Sequence, residues 1–318
     1  MCIKKDILAT LAYFDLFSYP LKKREIFIFL PQRDKRPQFD QALTALVNVS
    51  MIFRLGEFYS LRDNYALAER RRWGNDRAIK MLKNAEKAAK VIASFPFVRG
   101  VAISGSLSKK FADKNADIDF FIITAANRLW LSRTLLHMFK KLTYLFNRQH
   151  HYCMNYFIDE AELVILEKNI YTATEVATIL PIYDTGIFAK FYKANTWADF
   201  FLPNNYMHIT SAKEINNNPI KSIIERILDN RAGNQIDNLF KYLTAWSWRK
   251  KTHKKVKNMK GLLMSLHAGK HFAKPDPLNF QRKLLQRYEM LLTEVWARYE
   301  QGSSMVKEFL NKDSFLSE

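Results

Sequence analysis

Two aspartates separated by one apolar residue stand at the start of an apolar run, and a Gly-Ser pair precedes them. The pair is Gly105-Ser106, ten residues intervene, and Asp117, Ile118 and Asp119 follow. Successive residues of a β-strand point to opposite faces, so the two aspartates are expected on one face while Ile118 enters the core. Neighbouring carboxylates repel each other, and a hard divalent cation removes that repulsion. The spacing therefore predicts a site for Mg²⁺, or for Mn²⁺.

The Gly-Ser pair has the chemistry that phosphate binding requires. Gly105 allows the backbone to turn tightly out of a strand, and the amides of Ser106 and its successors, including Ser108, would lie at a helix start. Amides at a helix start hold phosphate oxygens. Lys109 and Lys110 follow immediately, where lysines either contact phosphate or face the solvent.

Strands and helices must bring these two segments together. Apolar stretches flank the turn on each side, and a third apolar stretch follows a long amphipathic segment; in order they read VRGVAIS, DIDFFIIT, NRLWLSRTLLHMFKKLTYLF and HYCMNYFIDE. This order predicts two strands, a helix and a third strand. A central α/β domain with a short mixed sheet is the expected arrangement.

A helix is predicted before the first of these strands. It covers residues 67–94 and is either unbroken or interrupted near Gly74. Its Arg70, Arg71 and Arg72 are expected to form a solvated face, because runs of like charge usually face water.

The turn and the aspartates together resemble the pattern of the DNA polymerase beta-like nucleotidyltransferase superfamily. That pattern is an apolar residue, Gly, Gly or Ser, a spacer, and then Asp, an apolar residue and Asp or Glu; the resemblance covers about residues 96–165. It implies a magnesium-dependent transfer of a nucleoside monophosphate from a nucleoside triphosphate to an acceptor hydroxyl. Asp117 and Asp119 would hold the metal, and Gly105 and Ser106 would hold the triphosphate.

The resemblance also raises the question of a third carboxylate. Active members of the superfamily supply one from a later strand, where it completes the metal site and accepts the hydroxyl proton. The polar residue within the predicted third strand is Asn155, an amide that can coordinate a metal but cannot act as a base. Asp159 lies four residues further, on the same face if the alternation continues. Two alternatives follow: a catalyst in which Asp159 or Asn155 completes the site, or an inactive protein that binds nucleotide as a regulator.

The N-terminal segment predicts three helices followed by a hairpin. The third helix covers about residues 38–47, and the hairpin alternates around Gly56. This order resembles a winged helix-turn-helix domain, although the third helix carries no Lys or Arg with which to read bases. With the helix start at Asn127–Leu131, the whole resembles bacterial proteins described only as nucleotidyltransferase-domain proteins.

The resulting fold class is α+β with three domains. These are a winged helix-like domain over residues 1–66, a nucleotidyltransferase domain over 67–205 and a helical, basic C-terminal domain over 206–318. Seven of the twelve residues from Arg249 to Lys260 are Lys or Arg, and Trp246 and Trp248 precede them. This segment is either a solvated helix or a surface that holds RNA by its cations and aromatic rings.

The charge and the cysteine content of the chain indicate which partners and which cellular compartment to expect. The chain has 50 Lys and Arg against 31 Asp and Glu, a net charge of +19 that favours polyanions such as nucleic acid. Two cysteines cannot form a disulfide framework, and no run of eighteen apolar residues occurs. We expect a cytoplasmic protein without a membrane partner, and the oligomeric state is left open.

Overall fold

The computed structural model divides the chain into two units, each built from segments distant in sequence. The first contains Met1–Arg72, Asp199–Tyr206 and Gln281–Glu318, and the second contains Trp73–Ala198 and Met207–Phe280. The structure describes residues 2–33, 36–143, 153–205, 212–216, 218–254, 264–277 and 280–314. Helices and a mixed sheet occur together, which confirms the α+β fold class.

The first unit begins with three helices and a small antiparallel sheet, as the apolar spacing predicts. In chain order its elements are α1 (Ile3–Asp15), β1 (Leu21–Lys22), α2 (Lys23–Ile28), α3 (Arg36–Asn48), β2 (Phe53–Leu55) and β3 (Phe58–Ser60). The strand order is β1-β3-β2, with both pairings antiparallel. Gly56 has a φ of +71°, a left-handed conformation that suits glycine in the tight β2–β3 turn.

Arg71 is a core residue of the first unit, so the prediction of a solvated face is wrong for this arginine. Its side chain is only 2% exposed. The guanidinium lies 3.6 Å from the centroid of the Tyr19 ring and donates to Glu25 Oε1 at 2.7 Å. A buried charge needs such a partner, and a charge run in the sequence does not reveal it.

The second unit is organised around a seven-stranded sheet. Its strands are β4 (Val98–Ile103), β5 (Asp119–Thr124), β6 (Cys153–Asp159), β7 (Leu180–Asp184), β8 (Lys213–Glu214), β9 (Met264–Ala268) and β10 (Phe272–Pro277). The order is β8-β7-β4-β5-β6-β10-β9, in which β5–β6 and β7–β8 are parallel and the other pairs antiparallel. The sheet is mixed, as predicted, but it is larger than the short sheet that we expected.

Helices connect these strands. They are α4 (Tyr65–Ala93), α5 (Gly105–Ser108), α6 (Leu129–Thr143), α7 (Ile170–Thr178), α8 (Ile187–Ala194), α9 (Pro219–Leu228) and α10 (Arg231–His253), with a short 3₁₀ helix at Thr196–Phe200. The boundary between the units falls within α4, which is unbroken. Gly74 serves packing here, because a Cβ at this position would lie 2.2 Å from the Phe111 ring.

The C-terminal region does not form a unit of its own. The hairpin of β9 and β10 adds to the second unit's sheet through β6, whereas α11 (Phe280–Ser314) contributes almost entirely to the first unit. In that unit Tyr288 makes an edge contact with Tyr13, at 5.7 Å between ring centroids, and Trp296 Nε1 donates to Lys5 O at 3.3 Å. These contacts join α11 to α1, and the predicted C-terminal domain over residues 206–318 is accordingly divided between the two units.

A buried carboxylate on α10 caps the start of α6. Asp237 is 5% exposed, and its Oδ1 accepts the amide of Leu131 at 2.8 Å. A negative charge is favourable at a helix N-terminus. Burial nevertheless raises the pKa of Asp237 from 3.8 to about 6, since the loss of hydration outweighs the backbone hydrogen bonds.

Asp237→Asn is expected to change how stability depends on pH. Because the pKa of Asp237 is higher in the folded state, the folded protein binds more protons between pH 4 and 6, and its stability falls as pH rises through that window. The variant has no carboxyl group that titrates at this position. The difference between the free energies of unfolding of variant and wild type should therefore shift in favour of the variant by on the order of 1 to 2 kcal/mol from pH 4.5 to pH 7. Urea unfolding at the two pH values measures the difference. A difference that is equal at both pH values, as we expect for the exposed control Asp76→Asn, would contradict the role of Asp237.

Candidate functional site

The Gly-Ser turn lies directly against the second aspartate. β4 and β5 are antiparallel, with Ile103 opposite Phe120, so the residues that follow β4 meet the residue that starts β5. Ser104 N donates to Asp119 O at 2.9 Å. Gly105 has a φ of +69°, and a Cβ there would lie 2.7 Å from Asp119 Oδ2. Both its conformation and this close approach require glycine.

The two aspartates are accessible while the residue between them is buried. Ile118 is 3% exposed, and Asp117 and Asp119 are half-buried. This is the alternation that the sequence predicts. The carboxylates therefore lie at the edge of the sheet, where β5 begins, and can bind a ligand that approaches this edge.

The side chains that follow the turn fold back onto it. Ser108 Oγ donates to Gly105 O at 2.9 Å, and Lys109 Nζ donates to the same carbonyl at 3.0 Å. Ser106 is exposed and Leu107 is buried. Lys109 thus lies over the turn rather than in open solvent, and its contact with phosphate stays a prediction.

A glutamate that the sequence analysis missed completes this cluster. Glu175 of α7 accepts the Gly105 amide on Oε2 at 3.2 Å and Lys109 Nζ on Oε1 at 2.8 Å. The Lys109 side chain is 14% exposed and that of Glu175 is 27% exposed, so the pair is partly shielded from water. One carboxylate group therefore binds both an amide and an ammonium group of the turn.

The pairing of β7 with β4 explains the position of Glu175. Leu180 lies opposite Ile103, which brings the end of α7 next to the Gly-Ser turn. In sequence, Glu175 is seventy residues from Gly105. The one available signal was its isolation: it is the single charged residue of α7, within IYTATEVAT.

Asp159 does not join the aspartate pair. β5 and β6 are parallel, with Asp119 opposite Cys153 and Thr124 opposite Asp159, so Asp159 lies at the other end of the strands. At about 3.3 Å per residue, five residues along β5 separate the two ends by roughly 17 Å. The expectation that Asp159 approaches the metal from the strand end does not agree with this register.

Asp159 instead joins three segments by hydrogen bonds. It has no exposed surface, and it accepts the amides of Asn127 and Ala161, each at 3.0 Å. His271 Nδ1 lies 2.9 Å from Asp159 Oδ2, and Asp159 N donates to His271 O at 3.1 Å. These bonds connect the start of α6, the end of β6 and the β9–β10 turn. Asp159 therefore stabilises the fold.

The other candidate for the third ligand is Asn155. Its backbone belongs to β6 at the register shift opposite Phe120 and Phe121, and its side chain lies outside the described part of the structure. Among the described residues, no group of three or more His, Cys, Asp or Glu side chains is arranged to hold a metal. In the described part of the chain, therefore, no third carboxylate is arranged with Asp117 and Asp119 to hold a metal.

Similarity to known proteins adds nothing to this geometry. The chain matches no model of a protein family, no curated protein and no solved structure. In the described part of the chain, no helix has the length and hydrophobicity needed to cross a membrane. The functional assignment consequently depends on the residues themselves.

Asp159→Asn is expected to lower stability without affecting a ligand at the Gly-Ser turn. The asparagine side chain lacks the carboxylate that binds His271 and two backbone amides. Loss of a buried, charged hydrogen-bond partner lowers the free energy of unfolding by about 2 to 4 kcal/mol. Urea unfolding measures the loss of stability. Binding of a fluorescent nucleoside triphosphate below the unfolding transition should stay within twofold of wild type. A variant of normal stability that no longer binds nucleotide would instead assign Asp159 to the site.

Proposed function

We propose that this protein is a magnesium-dependent nucleotidyltransferase that transfers a nucleoside monophosphate from a nucleoside triphosphate to a hydroxyl acceptor. The observation that carries the proposal is the approach of Gly105 to Asp119, where a Cβ would lie 2.7 Å from the carboxylate. A phosphate held at the turn would lie beside the carboxylates that hold its metal. Phosphoryl transfer requires phosphate-binding groups and metal-binding carboxylates to be adjacent, because enzymes catalyse it mainly by positioning the phosphates and stabilising their charge.

Asp117 and Asp119 suit a magnesium ion that is also coordinated by the phosphates of a substrate. Mg²⁺ is usually held by one or two carboxylates together with substrate phosphates and water, rather than by a complete cage of protein ligands. Asp117 and Asp119 would supply the carboxylates. The bound ion would neutralise the charge that develops on the phosphates. Around it, the Gly105 amide and Lys109 would orient the triphosphate, and Ile118 would keep the aspartates on the exposed face.

The first unit is proposed to be a winged helix domain that positions the acceptor. Its order of α1, β1, α2, α3 and the β2–β3 hairpin, with strand order β1-β3-β2, supports that assignment. The helix expected to read bases in such domains is α3, whose sequence after Arg36 carries no Lys or Arg. We therefore assign this domain to docking or positioning instead of sequence-specific DNA binding.

Replacing both aspartates by asparagine is expected to abolish turnover. Asp117→Asn/Asp119→Asn keeps the volume of both side chains but removes the charges that would hold the metal. The purified protein is incubated with Mg²⁺ and each of the four nucleoside triphosphates, with and without total RNA, and pyrophosphate release is measured. Wild type should release pyrophosphate with at least one nucleotide, and the variant should lose at least about a hundredfold in rate.

The control for this experiment is Asp113→Asn/Asp184→Asn, which removes two carboxylates from the same unit outside the pair. It should keep the wild-type rate. Pyrophosphate release that persists in the Asp117→Asn/Asp119→Asn variant would show that these aspartates do not hold the catalytic metal.

A second candidate function is a catalytically inactive protein that binds nucleotide as a regulator. One observation favours it: Glu175 binds both Lys109 and the Gly105 amide, the groups proposed to hold the triphosphate. Together with the missing third carboxylate, this arrangement would bind a nucleotide without turning it over. Absence of pyrophosphate release with nucleotide binding retained would select this function.

Glu175→Gln is expected to tighten nucleotide binding under either function. A triphosphate and the Glu175 carboxylate would compete for the same two donors, and the variant removes the competing charge. The gain should be about three- to tenfold in Kd, the range expected for loss of one partly exposed ion pair. Isothermal titration with a non-hydrolysable nucleoside triphosphate measures it.

The matched control is Glu167→Gln, which removes the carboxylate of another ion pair in the same unit, that of Glu167 with Lys274. This variant should bind nucleotide with the wild-type Kd. Weaker binding by Glu175→Gln would mean that Glu175 supports the bound nucleotide and does not compete with it.

A further inference from the structure

A small cleft lies on one face of the second unit's sheet, where β6 pairs with β10. Its walls come from β6, from residues 162–167 and from residues 271–274. Ile158 of β6 lies opposite Phe272 of β10, and both line the cleft, whereas the next pair, Phe157 and Ala273, belongs to the core. The cleft is partly open to solvent, so it would hold one functional group of a ligand while the rest of the ligand lies along its rim.

A carboxylate orients one of the side chains that line this cleft. His271 is 19% exposed, and its Nδ1 lies 2.9 Å from Asp159 Oδ2 and 3.0 Å from Asp159 Oδ1. Because an ionised carboxylate only accepts hydrogen bonds, Nδ1 carries the proton, and Nε2 of the neutral ring is an acceptor. No hydrogen bond joins Nε2 to a described residue. The imidazole can therefore accept a hydrogen bond from a ligand.

Lys274, which also lines the cleft, already has a carboxylate partner. Its Nζ donates to Glu167 Oε1 and lies 5.9 Å from the centroid of the Tyr156 ring. Burial raises the pKa of Tyr156, and the charge of Glu167 raises it further, so the hydroxyl stays neutral. The positive charge of Lys274 is thus neutralised within the lining.

Glu162 gives the lining a second group that can accept from a ligand. It is exposed, and no ion pair or side-chain hydrogen bond joins its carboxylate to a described residue. Since Glu167 is paired with Lys274, the charge of Glu162 makes the lining negative, although the chain as a whole has a net charge of +19. The groups thus offered to a ligand, the Glu162 carboxylate and His271 Nε2, are both acceptors.

Apolar side chains form the rest of the cleft and its rim. Val164 is 38% exposed and Leu166 is 62% exposed, and Phe272 adds an aromatic ring. A hydrocarbon group that covers such side chains is stabilised by the removal of apolar surface from water. A cation gains further from an aromatic face.

We propose that this cleft binds a small organic ammonium ion, whose N–H groups donate to Glu162 and His271 and whose hydrocarbon body lies on Val164 and Leu166. An ammonium ion has the charge that the lining lacks and the donors that its acceptors require. An anion, by contrast, would be repelled by the negative lining and would find its lysine already paired. The proposal does not depend on nucleotidyl transfer, because no residue of the Gly-Ser turn or the aspartate pair lines the cleft.

The test of charge uses probes that share a body and differ in their head group. Phenethylamine, phenethyl alcohol and phenylpropionate carry an ammonium, a hydroxyl and a carboxylate group, and isopentylamine carries the ammonium group on an aliphatic body. Binding to the full chain is measured by saturation-transfer NMR at pH 8, where alkylamines are protonated. Both amines should bind with a Kd in the millimolar range, and phenethylamine should bind about fivefold more tightly than the alcohol. Phenylpropionate should not displace phenethylamine.

Glu162→Gln separates the effect of charge from that of shape. The variant should bind phenethylamine about fivefold more weakly than wild type and phenethyl alcohol within twofold of wild type. The control Glu160→Gln removes a carboxylate that lies outside the cleft, where it accepts the Ala126 amide at 3.2 Å, and should change neither Kd by more than twofold. Both glutamates are exposed, so both variants should keep the wild-type circular dichroism spectrum and melting temperature.

Leu166→Ala tests the apolar rim. The variant should weaken the binding of phenethylamine and phenethyl alcohol alike, by about threefold, because both lose the same hydrocarbon contact. The control Leu142→Ala removes a leucine of α6 that is 60% exposed and should leave both Kd values unchanged.

Four results would overturn the proposal. They are failure of both amines to bind at millimolar concentrations, equal binding of phenethylamine and phenethyl alcohol by wild type, equal losses in the two glutamate variants, and loss of amine binding in Asp117→Asn/Asp119→Asn. The last result would place the amine at the aspartate pair. Absence of pyrophosphate release has no bearing on these readouts, so the two proposals fail independently.

Discussion

Strand β5 is buried on both faces, and this constraint determines where polar groups can lie in the second unit. After Asp119, every residue of the strand is buried, from Phe120 to Thr124. Charged groups are therefore confined to the two ends of the strand, since an unpaired charge within it would cost several kcal/mol. One end carries Asp119 and the Gly-Ser turn, and the other carries the Asp159 cluster. The neighbours β4 and β6 decide which residues join each end.

Three aspartates of the second unit show how the same residue type acquires different roles. Asp159 is fully enclosed by two amides and His271, whereas Asp117 and Asp119 remain half-buried at the sheet edge. A carboxylate with all its hydrogen bonds satisfied by protein stabilises the fold and has little capacity for a ligand. A carboxylate at an accessible edge can still bind one. This difference in environment, and not the residue type, separates the structural aspartate from the candidate metal ligands.

Glu175 connects the candidate site to the rest of the sheet. Because β7 pairs with β4, the end of α7 reaches the turn, and the carboxylate bonds to the groups that would otherwise bind a phosphate. An internal carboxylate of this kind keeps an ammonium and an amide paired in the absence of a ligand, which avoids the cost of leaving them unsatisfied.

Local pattern was enough to predict the elements that carry the candidate site. Alternation and apolar runs predicted the strands β4, β5 and β6 and the helices α4 and α6, and the spacing of glycine and aspartates indicated a turn beside a strand start. These features depend on residues within a few positions of one another. For three features no local pattern indicated which segments meet: the contact of Glu175 with the turn, the enclosure of Asp159 and the division of the C-terminal region between two units. Each follows from a pairing between distant segments, namely β7 with β4, parallel β5 with β6, and the β9–β10 hairpin with β6. Residue types and their spacing thus indicated which side chains could bind a metal or a phosphate, whereas strand register brings particular ones together in the folded chain. Register depends on hydrogen bonds and packing between segments that lie far apart in the chain order, so local patterns do not reveal it.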